Sequence, residues 1–279
     1  LKTDGYGHGA VQIARLLQEK DYIWGYATAT LDEAVILRKK GIEKPILVLG
    51  TVFPDQRAAM IEHEVRMTLY TEEMAAEVSD LATRMGKDVH IHIKLDTGMS
   101  RLGFPICEES ADAIERISKM THLQMEGMYT HFAKADEEDK SFTEKQLNAY
   151  LWMKQRLEEK GVQFSYYHCS NSAGFIDVPE ANMDLVRAGI SIYGLYPSGE
   201  VNKANVPLKP ALQWVSHVAH VKWVEAGTPV SYGGTYVTDR RTKLATIPVG
   251  YGDGYPRSLS NKGYVLIKGQ KAPIRGRVC

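Results

Sequence analysis

The run Val89-His90-Ile91-His92-Ile93-Lys94-Leu95-Asp96 alternates apolar and polar residues. Its period of two predicts a β-strand with Val89, Ile91, Ile93 and Leu95 on one face and His90, His92, Lys94 and Asp96 on the other. A half-solvated surface strand would carry the same pattern, so the neighbouring sequence decides. From Leu1 to about Pro197, short apolar stretches alternate with amphipathic ones. Strand candidates are Tyr22–Ala27, Pro45–Gly50, Arg66–Tyr70, Val89–Asp96, Leu123–His131, Ser165–Cys169 and Met183–Ala188, with helix candidates between them. That is the pattern of parallel βα units. Repeated over this length it predicts the α/β class and a (β/α)8 TIM-type barrel, whose catalytic side chains sit at the carboxyl ends of the strands. The polar face of 89–96 would then point inward, where an unpaired Lys94 is costly. A Lys94–Asp96 ion pair is one remedy.

Helix starts agree with this frame. Thr30-Leu31-Asp32-Glu33 has capping-box spacing, Thr71-Glu72-Glu73-Met74 opens another helix, and Ser141 to Lys160 is the longest. Beyond Pro207 the texture changes to β-rich runs at Ala211–Trp223, Lys243–Pro248, Tyr264–Lys268 and Pro273–Val278, separated by turn sequences. The expectation is a barrel over 1–200 with its first strand truncated, a linker over Tyr196–Pro210, and a partial, mostly β C-terminal domain over 211–279. The chain opens without Met and inside a motif, which predicts a fragment lacking both termini. Lys plus Arg equals Asp plus Glu at 34 each, so net charge implies neither a nucleic-acid nor an anionic membrane surface. Three scattered cysteines fit a reduced, cytoplasmic setting better than a disulfide framework. No apolar run approaches a membrane span.

The densest chemistry lies in Leu1-Lys2-Thr3-Asp4-Gly5-Tyr6-Gly7-His8-Gly9. Alternate glycines let the backbone turn sharply and approach a ligand, and the helix expected over Ala10–Lys20 could attract an anion at its amino end. A lysine beside such a turn suits a Schiff base to an aldehyde cofactor. An ordinary strand-to-helix turn with a solvated lysine reads the same way.

Six further segments extend the pattern, IKLDTGMSRLG, GMYTHFAKADE, YHCSNSAG, LVRAGISIYGLYPS, VSYGGTY and VGYGDGYPR, making seven with the opening LKTDGYGHGA. Taken in this order, they resemble the alanine racemases, whose cofactor is pyridoxal phosphate. The resemblance implies an isomerase that interconverts L- and D-alanine for peptidoglycan. Serine or broader amino-acid racemases of the same fold, and non-catalytic pyridoxal-phosphate homeostasis proteins, are the neighbouring alternatives. It further implies a homodimer with shared active sites.

Residue by residue, the resemblance makes Lys2 the cofactor lysine and Tyr232 a second acid/base opposite it, with His131 bonded to that tyrosine. Racemisation needs a proton donor-acceptor on each face of the substrate carbon. Arg187 would face the pyridine nitrogen, held by His168. An arginine has no proton to share, so the ring nitrogen stays neutral and the electron sink weak, which limits side reactions such as transamination. Tyr6, Ser172, Gly189 and Ile190 would hold the phosphate, with Asn171 beside them at a candidate N-cap. Arg101 would meet the cofactor's phenolic oxygen and, with Tyr251, the substrate. Lys94 falls where some members carry a carbamate. Arg257, Arg277 and Asp136 fall at positions lining the substrate corridor, where a solvated role reads equally well. The sequence stops just where the family continues into a Met-Asp segment. A divalent-metal hydrolase using His8, His131, His168 and Asp136 is the reading from another class, although no pair has close ligand spacing at a strand end.

Overall fold

Six parallel strands form one sheet in chain order: β1 (Tyr26–Thr28), β2 (Ile46–Val48), β3 (Arg66–Leu69), β4 (Val89–Lys94), β5 (Leu123–Tyr129) and β6 (Tyr166–His168). The computed structural model describes every residue from Leu1 to Cys279, in two compact units, Leu1–Leu212 and Gln213–Cys279. In the first unit each strand pairs in parallel with the next. Every parallel step needs a crossover, supplied by helices such as Leu31–Lys39, Glu72–Met85, Glu108–Ile117 and Ser141–Glu159. One face of the sheet, with Ile46, Val48, Met67, Ile91 and Ile93, packs into a core shared with Leu37, Val78, Ile114 and Leu157 from those helices.

The other face is also buried but polar. Thr68, His92, Lys94, Tyr129 and His168 are all inaccessible. Thr68 Oγ1 donates to Val48 O at 2.7 Å, and it bonds Tyr129 Oη at 2.9 Å. A sheet buried on both faces, one apolar and one polar, is curled around an interior, here a parallel half-barrel with helices outside. The sheet counts six strands, not eight. The expected strand at Met183–Ala188 forms no ladder. It makes isolated bonds to the end of β6, Asp184 N to Tyr167 O at 3.2 Å and Arg187 N to Ser170 O at 2.9 Å. The positive φ of Met183, 42°, breaks the regular backbone there.

The local signals are realised as chemistry. Thr30 and Glu33 form a reciprocal capping box at the helix Leu31–Lys39, and the Thr71 hydroxyl accepts from Met74 N at 3.2 Å. In the second unit three antiparallel pairs form: His220–Val224 with Thr242–Thr246, Pro229–Val230 with Tyr236–Val237, and Tyr264–Ile267 with Gln270–Pro273. The run Ala211–Trp223 becomes strand only from His220, and the last strand lies earlier than Pro273–Val278. Lys268 and Gly269 both have positive φ, 51° and 78°, the two-residue hairpin turn that places Gln270 opposite Ile267.

Candidate active site

Lys2 opens a left-handed turn. Thr3, Asp4, Gly5 and Tyr6 have φ of 54°, 51°, 64° and 55°, a conformation costing roughly 1–2 kcal/mol at each non-glycine residue. Backbone bonds hold it, Gly5 N to Leu1 O at 2.9 Å and Gly7 N to Thr3 O at 3.1 Å, and Thr3 N donates to the Glu33 carboxylate. Glu33 thus serves the capping box and the lysine turn together. Strain held by surrounding contacts is characteristic of functional sites. Lys2 itself is exposed, its Nζ lying 5.4 Å from the Tyr6 ring centroid.

Tyr6 leads to a cradle of donors. The buried Ser172 Oγ accepts from Gly189 N at 2.9 Å, Ser191 N at 3.3 Å and the Ser191 hydroxyl at 3.1 Å. A Cβ at Gly189 would stand 2.6 Å from Tyr6 Oη, so any side chain there would displace that hydroxyl. Ile190 begins the short turn Ile190–Tyr193. Asn171 is occupied in placing Ser172: its Oδ1 accepts from Gly174 N at 3.0 Å and its Nδ2 donates to Phe132 O at 3.2 Å. Amide and hydroxyl donors converging without a carboxylate suit a phosphate.

Arg187 lies beyond this cradle, half-buried. Its Nη1 donates to His168 Nδ1 at 2.8 Å and to His168 O at 3.1 Å. Nη2 donates to Thr130 O at 2.6 Å and Cys169 O at 2.9 Å, and faces His131 Nδ1 at 3.4 Å. Nε is buried and has no partner. No carboxylate touches the guanidinium, so one donor remains for a neutral acceptor such as a pyridine nitrogen. Burial, then the Arg187, Arg101, Lys94 and Lys2 charges, push His131 down to about 3. Burial and Arg187 hold His168 well below the usual histidine range. Both rings are therefore neutral at physiological pH.

Lys94 ends β4 with only 2% of its surface accessible. The anticipated Lys94–Asp96 ion pair does not form. Asp96 Oδ1 instead accepts from Gly98 N at 3.0 Å and Ser100 N at 2.9 Å, bracing the loop that carries Arg101. The Lys94 ammonium, 5.6 Å from the Tyr129 centroid, has neither a hydrogen bond nor an ion pair. Burial first, then Arg101 and Arg187, lower it to about 8.

Lys2, Tyr6, Lys94, Arg101, His131, His168, Asn171, Ser172, Arg187, Gly189 and Ile190 all belong to the first unit, Lys2 and Tyr6 in the turn that opens the chain and the others at the carboxyl ends of strands β4 to β6 or in the segments that follow them. Tyr232 and Tyr251 belong to the second. Tyr232 is 69% exposed and opens the turn Tyr232–Gly234, where the Ser231 hydroxyl donates to Arg277 O at 2.7 Å. Tyr251 opens the turn Tyr251–Asp253, and Arg257 the next one, Arg257–Leu259. The metal-hydrolase grouping does not assemble: His131 and His168 both accept from the cationic Arg187, while His8 stacks on Tyr193 at 4.3 Å. Behind His168 stand His92, which sequence reasoning placed on the inward face without a role, and Arg66 and Glu126, which it missed. The one signal for the missed pair was a glutamate, Glu126, followed by a glycine inside an apolar strand.

A half-barrel bearing a lysine on a strained turn, an anion cradle and an arginine with one spare donor defines a cofactor-dependent enzyme domain, followed here by a separate antiparallel β unit. Comparison with known proteins resolves the class. Residues 1–197 match the family model "Alanine racemase, N-terminal domain", and residues 211–279 match "Alanine racemase, C-terminal domain". An alanine racemase of Desulforamulus reducens is 46% identical over all of this chain and 75% of its own length. The solved alanine racemase of Clostridium difficile 630 superposes with a TM-score of 0.91 at 41% identity, over 100% of this chain and 72% of its own. Its complex with cycloserine gives 0.90 at 39%, with the same coverage. The chain belongs to the alanine racemase family, isomerases that depend on pyridoxal phosphate. No helix is long and apolar enough to cross a membrane.

Proposed function

We propose that the chain racemises alanine with pyridoxal phosphate, using Lys2 and Tyr232 as the two bases, and supplies D-alanine for peptidoglycan. The barrel domain, 1–200, holds the cofactor, and the β domain, 211–279, presents Tyr232. Lys2 Nζ attaches the cofactor and exchanges a proton with one face of the substrate's α-carbon, and Tyr232 Oη exchanges one with the other. Bound pyridoxal phosphate supplies the electron sink that acidifies the Cα–H bond. Tyr6, Ser172 (set by Asn171), Gly189 and Ile190 donate to its phosphate, and Arg101 to its phenolic oxygen. Arg101 and Tyr251 orient the substrate carboxylate. His131 accepts from Arg187 at Nδ1, so its Nε2 carries the proton and can donate to the Tyr232 oxygen. Active sites shared across a cytoplasmic homodimer complete the reading, and three unpaired cysteines suit that compartment.

The observation that carries this reading is Arg187: a guanidinium with a buried, unpartnered Nε and no carboxylate. It presents N–H to the ring nitrogen and keeps it unprotonated. Arg187→Glu puts a proton-sharing group there. Racemisation is expected to fall by about 100-fold or more, while pyruvate from half-transamination of L-alanine accumulates faster than in wild type. A variant that racemises normally and forms no pyruvate would sink the neutral-ring argument.

Lys94 is proposed as a carbamate. An amine lowered to about 8 is neutral in roughly a tenth to a fifth of molecules at cellular pH, far more than an ordinary lysine, and the neutral form captures CO2, with Arg101 and Arg187 placed to stabilise the resulting anion. Protein equilibrated with 13C-bicarbonate should give a carbamate carbonyl resonance that is lost in Lys94→Gln. Its absence at pH 8 in wild type would leave Lys94 an ordinary amine.

A further inference from the structure

Behind Arg187 runs a chain of side chains that the reaction, as described, does not use. His168 Nε2 lies 2.9 Å from His92 Nδ1, and His92 Nε2 lies 3.1 Å from Glu126 Oε2. Glu126 is held in turn by Arg66, with Nε to Oε2 at 3.2 Å and Nη2 to Oε1 at 3.4 Å, and by His90 Nδ1 at 3.3 Å. His92 and His168 are buried, and the Glu126 side chain is only 10% exposed.

The backbone is adapted to this chain in two places. Ile91 pairs with Met125 and His92 with Gly127, which leaves Glu126 as the extra residue of a bulge in β5. Bulges re-aim a side chain at the cost of ladder regularity. A Cβ at Gly127 would collide with His92 Nδ1 and Cε1, so the glycine makes room for the imidazole.

The donors and acceptors leave one consistent arrangement. A carboxylate only accepts, so His92 carries its proton on Nε2 and its Nδ1 is a bare acceptor. His168 must then donate from Nε2, which leaves its Nδ1 bare. That nitrogen accepts from Arg187 Nη1. Glu126 stays ionised although burial opposes it, because His92 and Arg66 bond it and Arg66 adds its charge.

We propose that Glu126 and His92 are positioning residues of the racemase reaction: Glu126, clamped by Arg66 on the β5 bulge, sets the tautomers of His92 and His168 so that Arg187 is locked as a donor in one orientation. The proposal rests on the reading that Arg187 Nε serves the cofactor nitrogen. With the Nδ1–H tautomer at His168, two donors would face each other and the guanidinium would turn away. A carboxylate orienting a histidine that orients the working group is the logic of a catalytic triad, extended here by one imidazole.

The test is 15N NMR of the histidine-labelled full-length holoenzyme without substrate. The pair is identified by nitrogen–nitrogen coupling across its shared hydrogen bond. Both rings should be single Nε2–H tautomers. In Glu126→Gln, whose amide can either accept or donate, the tautomers should mix, kcat should fall on the order of tenfold with KM within about twofold, and pyruvate formation should rise relative to racemisation. A proton on His168 Nδ1, or an imidazolium, in wild type overturns the proposal. So does a Glu126→Gln enzyme with mixed tautomers and unchanged kcat and selectivity. A wild-type protein with no racemase activity refutes the functional reading instead, and the tautomer pattern then decides the locking alone.

Discussion

Lys2→Ala is expected to abolish racemisation and remove the visible absorbance band of lysine-bound cofactor, while the protein remains folded. Loss of both acid/base and attachment point from one residue should lower the rate by several orders of magnitude, on the order of 10⁴-fold or more. The fold survives because the turn is held without the lysine side chain. Its bonds run from the Gly5, Gly7 and Thr3 amides to Leu1 O, Thr3 O and the Glu33 carboxylate. Lys2 is exposed, and its ammonium makes only the 5.4 Å approach to Tyr6. Borohydride reduction followed by peptide mapping checks the assignment, and an adduct fixed on any other lysine would refute it. Circular dichroism of the variant should match wild type, which separates loss of chemistry from loss of structure.

Mixing two inactive proteins should restore activity. Lys2 lies in the first unit and Tyr232 in the second, and the tyrosine is 69% exposed in this chain. If the β domain of one subunit delivers its tyrosine to the barrel of its partner, a Lys2→Ala/Tyr232→Phe heterodimer has one intact and one doubly disabled site. Random pairing makes about half the dimers mixed, so co-expression should recover roughly a quarter of wild-type activity. Recovery limited to the residual rates of the two single variants would mean that each chain builds its own site. The measurement also tests the two-fold assembly, since a monomer offers no route to complementation.

The local chemistry of this protein was legible in its residues. The capping box at Thr30 and Glu33 and the strand alternation at Val89–Asp96 follow from spacing, because neighbours along an element meet at fixed periods. The site motifs were recognisable for a related reason: glycines at 5, 7 and 189 mark backbone that a side chain would obstruct, at Gly5 and Gly7 by positive φ and at Gly189 by Tyr6. Tertiary structure alone decided the rest. Lys94 and Asp96 share a strand face and invite an ion pair, yet the carboxylate turned to the amides of its own loop and left the amine buried with two arginines nearby. Met183–Ala188 has the composition of a strand but closes no ladder, since pairing depends on the neighbour that the segment meets in space. Glu126 and His92 are 34 residues apart and acquire a common purpose only through a one-residue bulge. Spacing along the chain governs contacts within an element, whereas contacts between elements depend on register, and a shift of a single residue redirects every side chain beyond it.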